Sequence, residues 1–290
     1  MWLWVVGLVA VFLAWALCPD PTPLLLVYSQ PGKWYALKFH IMKFEDNLMD
    51  TQFGSSGARS IASLDSKHLL PSDKASPADA VFFDASNRDG FYFTLGTAQR
   101  KGDVINLFFV LRIPGKGIYI VPEMLTNTNA RSGDHFDFDQ EVSPTSIAHS
   151  LALEPWSREL FNKLKASHQS HYEQFGFLSG SFTIGDEVID NVRMTSMRDH
   201  TITAHRNWSE IRRYIMMIYH LDDGTCIHTS LISMPDVVFS HLEFGYVITP
   251  DKKKHAVDRI HARLADIGEK KGLFPPHFNY SFDAGELHYD

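Results

Sequence analysis

From residue 80 onward the chain alternates short apolar runs with turn-forming residues. AVFFDAS (80–86) gives way to NRDG and then to FYFTLGTAQR (91–100). After KGD follow VINLFFVLRIPG (104–115) and KGIYIVPEML (116–125). Apolar runs of this length, punctuated by Asp-Gly and Gly-Lys-Gly, predict an antiparallel meander. GDHFDFDQEVS (133–143) alternates strictly and predicts a half-exposed strand. The period then changes. In LEPWSRELFNKLKASHQSHYEQFG (153–176), Trp156, Leu160, Phe161, Leu164, His168 and Tyr172 recur at three and four. That spacing predicts an amphipathic helix, or a pair of short ones, over 151–176. Strand-like runs resume through LSGSFTIGDEVIDNVRMTSMRDHT, IRRYIMMIYHL, TCIHTSLIS and VVFSHLEFGYVIT, with Asp223-Gly224 as a hairpin turn. In HAVDRIHARLADIGEKKG (255–272), Val257, Ile260, Leu264 and Ile267 have helical spacing, yet strand-like runs lie on both sides.

The N-terminal pattern differs. Residues 1–18, MWLWVVGLVAVFLAWALC, carry no charged side chain. Such a run is just long enough for a membrane span. A cleaved signal peptide would need a basic first region, which is absent, although AWA at 14–16 resembles a cleavage site. An ordinary first helix packed on the domain is the other alternative. Lys33, Lys38 and Lys43 follow the run and no basic residue precedes it, so an anchored chain would keep its body in the cytosol. The mixture of Trp, Tyr and Lys in GKWYALKFHIMKF (32–44) suits the headgroup level. The polar stretch GSSGARSIASLDSKHLLPSDKASPADA (54–80) is a linker.

These patterns divide the chain into an anchor (1–28), an interfacial segment and linker (29–80), a first β-domain (81–150), a linking helix (151–176) and a second β-domain (177–290). The length, 290 residues, leaves room for two domains. A formal charge of −7 gives no sign of nucleic-acid binding. Two cysteines over two hundred residues apart make neither a disulfide framework nor a zinc motif. The chain has no GxxxxGK[ST], GxSxG or HExxH, so no nucleotide, metal or cofactor is expected. In DHFDFD, His135, Asp137 and Asp139 would share a strand face beside Asp134, more simply a solvated acidic face than a cation site. The sequons at Asn207 and Asn279 matter only for a lumenal chain.

Chemistry concentrates in MRDHTITAHRNW (197–208). Asp199 beside His200 is the candidate acid–base pair if the protein is an enzyme. Arg198 and Arg206 are candidates to pin carboxylates, and Trp208 to floor a pocket. The alternative is structural, a buried network of Arg198, Asp199, His200 and Arg206 that closes one end of a sheet assembly. Alternating aromatics and aliphatics place Phe91, Phe93, Phe108, Met216, Ile218, Phe239 and Tyr246 on faces that would line an apolar interior.

MRDHTITAHRNWSEIRRY resembles the R-D-H-S-W-G-x-R-D-W signature of a double lipocalin-like superfamily. Its members include hydroxyneurosporene synthases, tocopherol cyclases and ceramide-carrying survival factors. LEPWSRELFNKLKASHQSHYEQFG and DGTCIHTSLISMPDVVFSHLEFGYV are similar to the N-terminal region of animal phosphoenolpyruvate-synthase-like proteins. Arg198, Asp199, His200, Arg206 and Trp208 fall on signature positions, whereas Thr201-Ile202-Thr203 replaces S-W-G and Asn207 replaces the second Asp. The resemblance implies a mainly β fold of tandem lipocalin-like antiparallel barrels, the second incomplete, with the membrane helix in front, and it favours a strand and turn over 254–267 rather than the helix that the spacing there suggests. It implies binding of a hydrophobic, lipid-like small molecule near a membrane, without catalysis by this chain. The alternatives are an accessory region of a phosphotransferase that lacks its catalytic part, a cyclase- or hydratase-like enzyme using Asp199 and His200, and a membrane-tethered scaffold.

Overall fold

The structure is a computed structural model, and it describes residues 2–53, 70, 73, 76–102, 104–127, 147–166, 169–269, 275 and 277–290. Two helices open the chain, α1 (Trp2–Leu17) and α2 (Tyr35–Phe53). The predicted meander follows as β1 (Ala78–Ser86), β2 (Tyr92–Gln99), β3 (Val104–Ile113) and β4 (Gly117–Asn127). Next come two short helices, α3 (Ala148–Leu153) and α4 (Arg158–Ala166). The long hairpin of β5 (Gln169–Ile184) and β6 (Glu187–Thr203) follows. Then come β7 (Arg213–His220), β8 (Cys226–Ser233), β9 (Leu242–Ile248), β10 (Lys254–Ala256), β11 (Arg259–Ile260), β12 (Phe282–Ala284) and β13 (Leu287–Tyr289).

The strands form three antiparallel sheets, ordered β4-β3-β2-β1-β6-β5, β10-β9-β8-β7 and β11-β12-β13. None closes into a barrel among the described residues. The first sheet is assembled across the chain, because β6 pairs with β1 on one side and β5 on the other. His200, for example, sits opposite both Val81 and Tyr172.

Helical spacing over 151–176 holds only as far as Ala166. Strand β5 begins at Gln169, and residues 171–174 pair with 198–201 of β6. The recurrence of Tyr172 at a helical interval is therefore coincidental, and His168 lies outside the described residues. Tertiary pairing decides the conformation of a stretch whose own preference is weak. At 254–267 the chain takes two very short strands and a 3-10 turn at Leu264–Asp266, so the expected strand and turn hold and the helical spacing there forms no helix. The expected strand at 133–143, including Asp134, His135, Asp137 and Asp139, lies outside the described residues, as does most of the linker.

The sheets stack. One face of the four-stranded sheet, with Ile215, Met217, Ile227, Leu231 and Val247, packs on Val257, Ile260, Leu264, Phe282 and Tyr28. The other face presents Tyr246, Ile248, Met216, Ile218 and Cys226 to Phe175 and Met197 of the six-stranded sheet. The cleft between these two sheets is where polar chemistry collects. Helices α3 and α4 pack with Val238 and Phe239 in a separate cluster.

Helix α1 spans 16 residues, about 24 Å at 1.5 Å per residue, against a hydrocarbon core of about 30 Å. No helix among the described residues is long and apolar enough to cross a membrane. Val6, Val11, Phe12, Leu13 and Leu17 are nevertheless exposed. Each of the three lysines after the apolar run has a partner within the chain. Lys33 Nζ donates to the carbonyls of Ala16 (2.5 Å) and Cys18 (2.6 Å), which lie at the C-terminal end of α1. Such a cation satisfies unpaired carbonyls and opposes the helix dipole. Lys38 Nζ donates to the Glu154 carbonyl at 2.8 Å, and Lys43 pairs with Asp258 at 2.5 Å.

Candidate functional site

Strand β6 divides its polar residues between two faces, because successive side chains of a strand point in opposite directions. Arg198 and His200 share one face with Tyr172 and Gln174 of β5 and Asp79 of β1. All five are buried, none more than 3% exposed. His200 Nε2 lies 2.7 Å from Asp79 Oδ1, and His200 Nδ1 lies 2.7 Å from the Tyr172 hydroxyl. Arg198 Nη2 donates to the Tyr172 oxygen at 3.4 Å and also to Gln174 Oε1. One assignment of protons satisfies the series. Arg198 donates to Tyr172, Tyr172 donates to His200 Nδ1, and His200 Nε2–H donates to Asp79. A guanidinium thus starts a hydrogen-bond relay that ends on a carboxylate.

The opposite face carries Asp199, with His171 and Glu173 from β5, toward the four-stranded sheet. Glu173 is fully buried between two imidazoles. Its Oε1 is 2.9 Å from His171 Nε2, and its Oε2 is 2.6 Å from His228 Nδ1. His171 Nδ1 meets Thr201 Oγ1 at 2.7 Å, and His228 Nε2 meets Ser230 Oγ at 2.8 Å. Burial alone would raise the Glu173 carboxyl. The charge and hydrogen bonds of His228 and His171 outweigh it and hold the group well below the usual carboxylate range. Burial likewise works against the His171 imidazolium, but Glu173 overcomes it and the imidazole is raised. Asp199 is raised, first by burial and then by Glu173, with His171 and Arg206 acting against the shift. Burial and the nearby Glu173 charge push the Tyr246 phenol far up, so it stays protonated.

This buried pair of histidines lies behind a groove of about 280 Å³ lined by Phe175, Phe177, His220, Leu221, Cys226 and Ile248, among others. The Phe175 ring separates the two regions. Its centroid is 5.7 Å from the Tyr246 ring and 5.1 Å from the His220 ring, and the Tyr246 ring is 5.6 Å from His228. Cys226 Sγ lies 3.6 Å from His220 Nδ1. Burial depresses His220 to about 4, so its imidazole is neutral at pH 7. The groove therefore offers aromatic and aliphatic walls, one thiol, one uncharged imidazole and two threonines, together with the charged residues Asp222 and Lys252.

The structure separates the five signature residues. Asp199 does not orient His200, since the two point to opposite faces. The carboxylate of His200 is Asp79, and the imidazole whose charge acts most strongly on Asp199 is His171. Arg206 lies in the loop after β6, with its guanidinium 4.8 Å from the Trp208 ring centre, and Trp208 is 48% exposed. Trp208 does not line that groove. Of the seven candidate lining residues, Met216, Ile218 and Tyr246 meet in the cleft between the sheets. Phe108 shares that face of the six-stranded sheet and stands 6.2 Å from Phe82. Phe91 and Phe93 pack on the reverse face with Ala85, Val192 and Met194, and Phe239 packs with Leu151 and Leu160.

Sequence reasoning missed Asp79, His171, Glu173 and His228. Their signal is a spacing of two, His171-x-Glu173 and His228-x-Ser230, which marks one face of a strand and has no meaning on a helix.

Among solved structures, the chain is similar to a Nitrosomonas europaea protein provisionally assigned as AttH, with a TM-score of 0.49 and 12% identity, over 81% of this chain and 84% of that one. It is also similar to kievitone hydratase from Nectria haematococca, with a TM-score of 0.36 and 7% identity, over 75% of each chain. Neither likeness carries chemistry over to this chain. No curated protein matches it. Over residues 128–290, more than half its length, the chain matches DUF8627, a family of unknown function, and it belongs to that family.

Proposed function

We propose that this protein binds a hydrophobic, lipid-like small molecule in the groove between its six-stranded and four-stranded sheets. The observation that carries this reading is the groove lining. Phe175, Phe177, Leu221 and Ile248 supply apolar contact, His220, Thr195, Thr225 and Cys226 supply a few polar atoms at its wall, and Lys252 and Asp222 add one charge of each sign, the lysine suited to a carboxylate headgroup. Ligand sites combine these two elements, apolar walls for affinity and sparse polar groups for orientation. The reading keeps the lipocalin-like principle of a ligand held against antiparallel sheet, without requiring a closed barrel. Membrane association through α1 belongs to the same proposal. It rests on the exposed apolar side chains of that helix, which water does not favour, and on the lysines after it, which favour a cytosolic body. Native mass spectrometry of the detergent-purified protein tests the ligand directly. A retained lipid-sized adduct supports the proposal, and a bare protein mass that persists after incubation with fatty acids contradicts it.

One observation favours a second reading, proton-transfer catalysis. A carboxylate between two imidazoles, with Asp199 raised nearby, is a set of groups shifted in opposite directions, as acid–base sites require. In this form the reading moves from Asp199 and His200 to Glu173 and His171. It is the weaker of the two, because Phe175 and Tyr246 stand between these groups and the groove.

A further inference from the structure

We infer that His149, His241 and Glu243 form a binding site for one divalent transition-metal ion of the zinc or iron(II) kind. The site lies apart from the groove, where α3 and α2 meet the start of β9. All three side chains are buried, and one ligand atom from each lies within 4.8 Å of the others. His241 Nε2 is 3.2 Å from Glu243 Oε2, and His149 Nε2 is 3.8 Å from Glu243 Oε1. Around a tetrahedral ion with bonds of about 2.0–2.1 Å, ligand atoms stand about 3.4 Å apart. The side chains need only small movements to reach that spacing.

The surroundings are those of a supported site. The Tyr35 hydroxyl is 2.5 Å from His149 Nδ1, so it fixes the ring with Nε2 toward Glu243. With the proton on Nδ1 and donated to the Tyr35 oxygen, Nε2 presents its lone pair. Outer partners of this kind orient metal-binding histidines. Arg259 Nη1 donates to Glu243 Oε1 at 2.7 Å, and the Ile260 N–H donates to the same oxygen at 3.4 Å. Oε2 is thereby left beside His241. The Glu243 N–H donates to Ser150 Oγ at 2.9 Å, which ties the strand to α3. The six residues of α3 are all buried, so His149 is carried on a rigid element.

A purely structural role explains these groups less completely. Arg259 already balances the Glu243 charge. Two imidazoles aimed at an already neutralised carboxylate are surplus to an ion pair, whereas two nitrogens and one oxygen suit zinc or iron(II) better than calcium or magnesium. Three protein ligands leave at least one coordination position for water. A second grouping of this kind among the described residues, His261, Asp283 and His288, has both imidazoles exposed. Its carboxylate is spent on the two imidazoles at 2.6 Å each, so it serves as the control.

The test uses the full chain, free of any oligohistidine tag and stripped with chelator. Cobalt(II) is titrated while its visible absorption is followed, and zinc(II) binding is measured by calorimetry. One equivalent of each metal is expected, with cobalt bands that zinc abolishes. His241→Gln should weaken binding about 100-fold or more, while Tyr35→Phe, which removes only an outer partner, should weaken it about tenfold. His261→Ala/His288→Ala should leave it unchanged. If His241→Gln does not fold, Tyr35→Phe and the control pair decide. Absence of stoichiometric binding by the wild type overturns the inference. So does binding that survives His241→Gln or Tyr35→Phe undiminished, or that disappears in the control pair.

Discussion

His200 Nε2 lies 2.7 Å from Asp79 Oδ1 across 121 residues of chain, and its neighbour Asp199 points to the other face of the same strand. This relationship decides how the most chemically dense stretch of the sequence works. The carboxylate that matters to His200 belongs to β1. Removing it by Asp79→Ala leaves a buried imidazole without its acceptor and should cost about 3 kcal/mol in denaturant unfolding. A double-mutant cycle separates the faces. Asp79→Ala and His200→Ala should couple by about 1 kcal/mol or more, whereas Asp79→Ala and Asp199→Ala should add to within about 0.5 kcal/mol. Equal coupling in both pairs would refute the division of the signature between two faces.

The sequence made the local elements legible and left the pairing hidden. NRDG and the Gly-rich turns mark β1–β4, and Asp223-Gly224 marks the β7–β8 hairpin, because turn chemistry is written in adjacent residues. The contact of Asp79 with His200 and that of Glu173 with His228 depend on which strands meet. That choice is made by burial across the whole chain. The stretch 169–176 was obscured for a further reason. Tyr172, Glu173 and Gln174 are all buried, so the inward positions are polar and no apolar alternation marks the strand. His149, His241 and Glu243 come from segments some ninety residues apart, and no spacing rule joins them.

Glu173, His171 and His220 set how stability depends on pH. Glu173 is depressed below its ordinary value of 4.5, so it stabilises the fold above that pH, and the contribution is lost as pH falls toward its folded value. His171 is raised above 6.5, so its contribution is full below 6.5 and is lost as pH rises through the folded value. His220, depressed to about 4, acts on the acid side. The unfolded chain takes up its proton first, so stability falls between 6.5 and 4. Each group adds a slope of at most about 1.4 kcal/mol per pH unit. In chemical denaturation across pH 3–9, His171→Gln should flatten the alkaline limb, His220→Gln the limb between 6.5 and 4, and Glu173→Gln the limb below 4.5. An alkaline limb unchanged in His171→Gln would contradict the assignment.

Two glycines mark close approaches of different kinds. A Cβ on Gly96 would stand 2.0 Å from the Phe108 ring, and one on Gly245 would stand 2.2 Å from the His228 carbonyl oxygen. The first obstacle is a side chain that can be shortened, and the second is backbone. Gly96→Ala should destabilise by about 1–3 kcal/mol and be largely rescued by Phe108→Leu. Gly245→Ala should cost more and find no side-chain rescue. Thermal unfolding of the four variants checks this, and failure of Phe108→Leu to rescue would show that the ring is not the obstacle.

Exposed apolar residues on α1 predict affinity for lipid surfaces. The full chain should co-sediment with phosphatidylcholine vesicles, and Phe12→Asp/Leu13→Asp should abolish this without altering the melting temperature of the β-sheets. Binding that survives both charges would place the membrane contact elsewhere.

A lipid-like ligand in the groove would shield Cys226, which lines it beside Phe175 and Ile248. In a Cys18→Ser background, the rate at which a small maleimide alkylates Cys226 is measured as a long-chain fatty acid is titrated in, below its micellar concentration. Saturable protection is expected, with the rate falling to a plateau at one fatty acid per chain and a short-chain acid giving none. An alkylation rate unchanged at every fatty-acid concentration would contradict it.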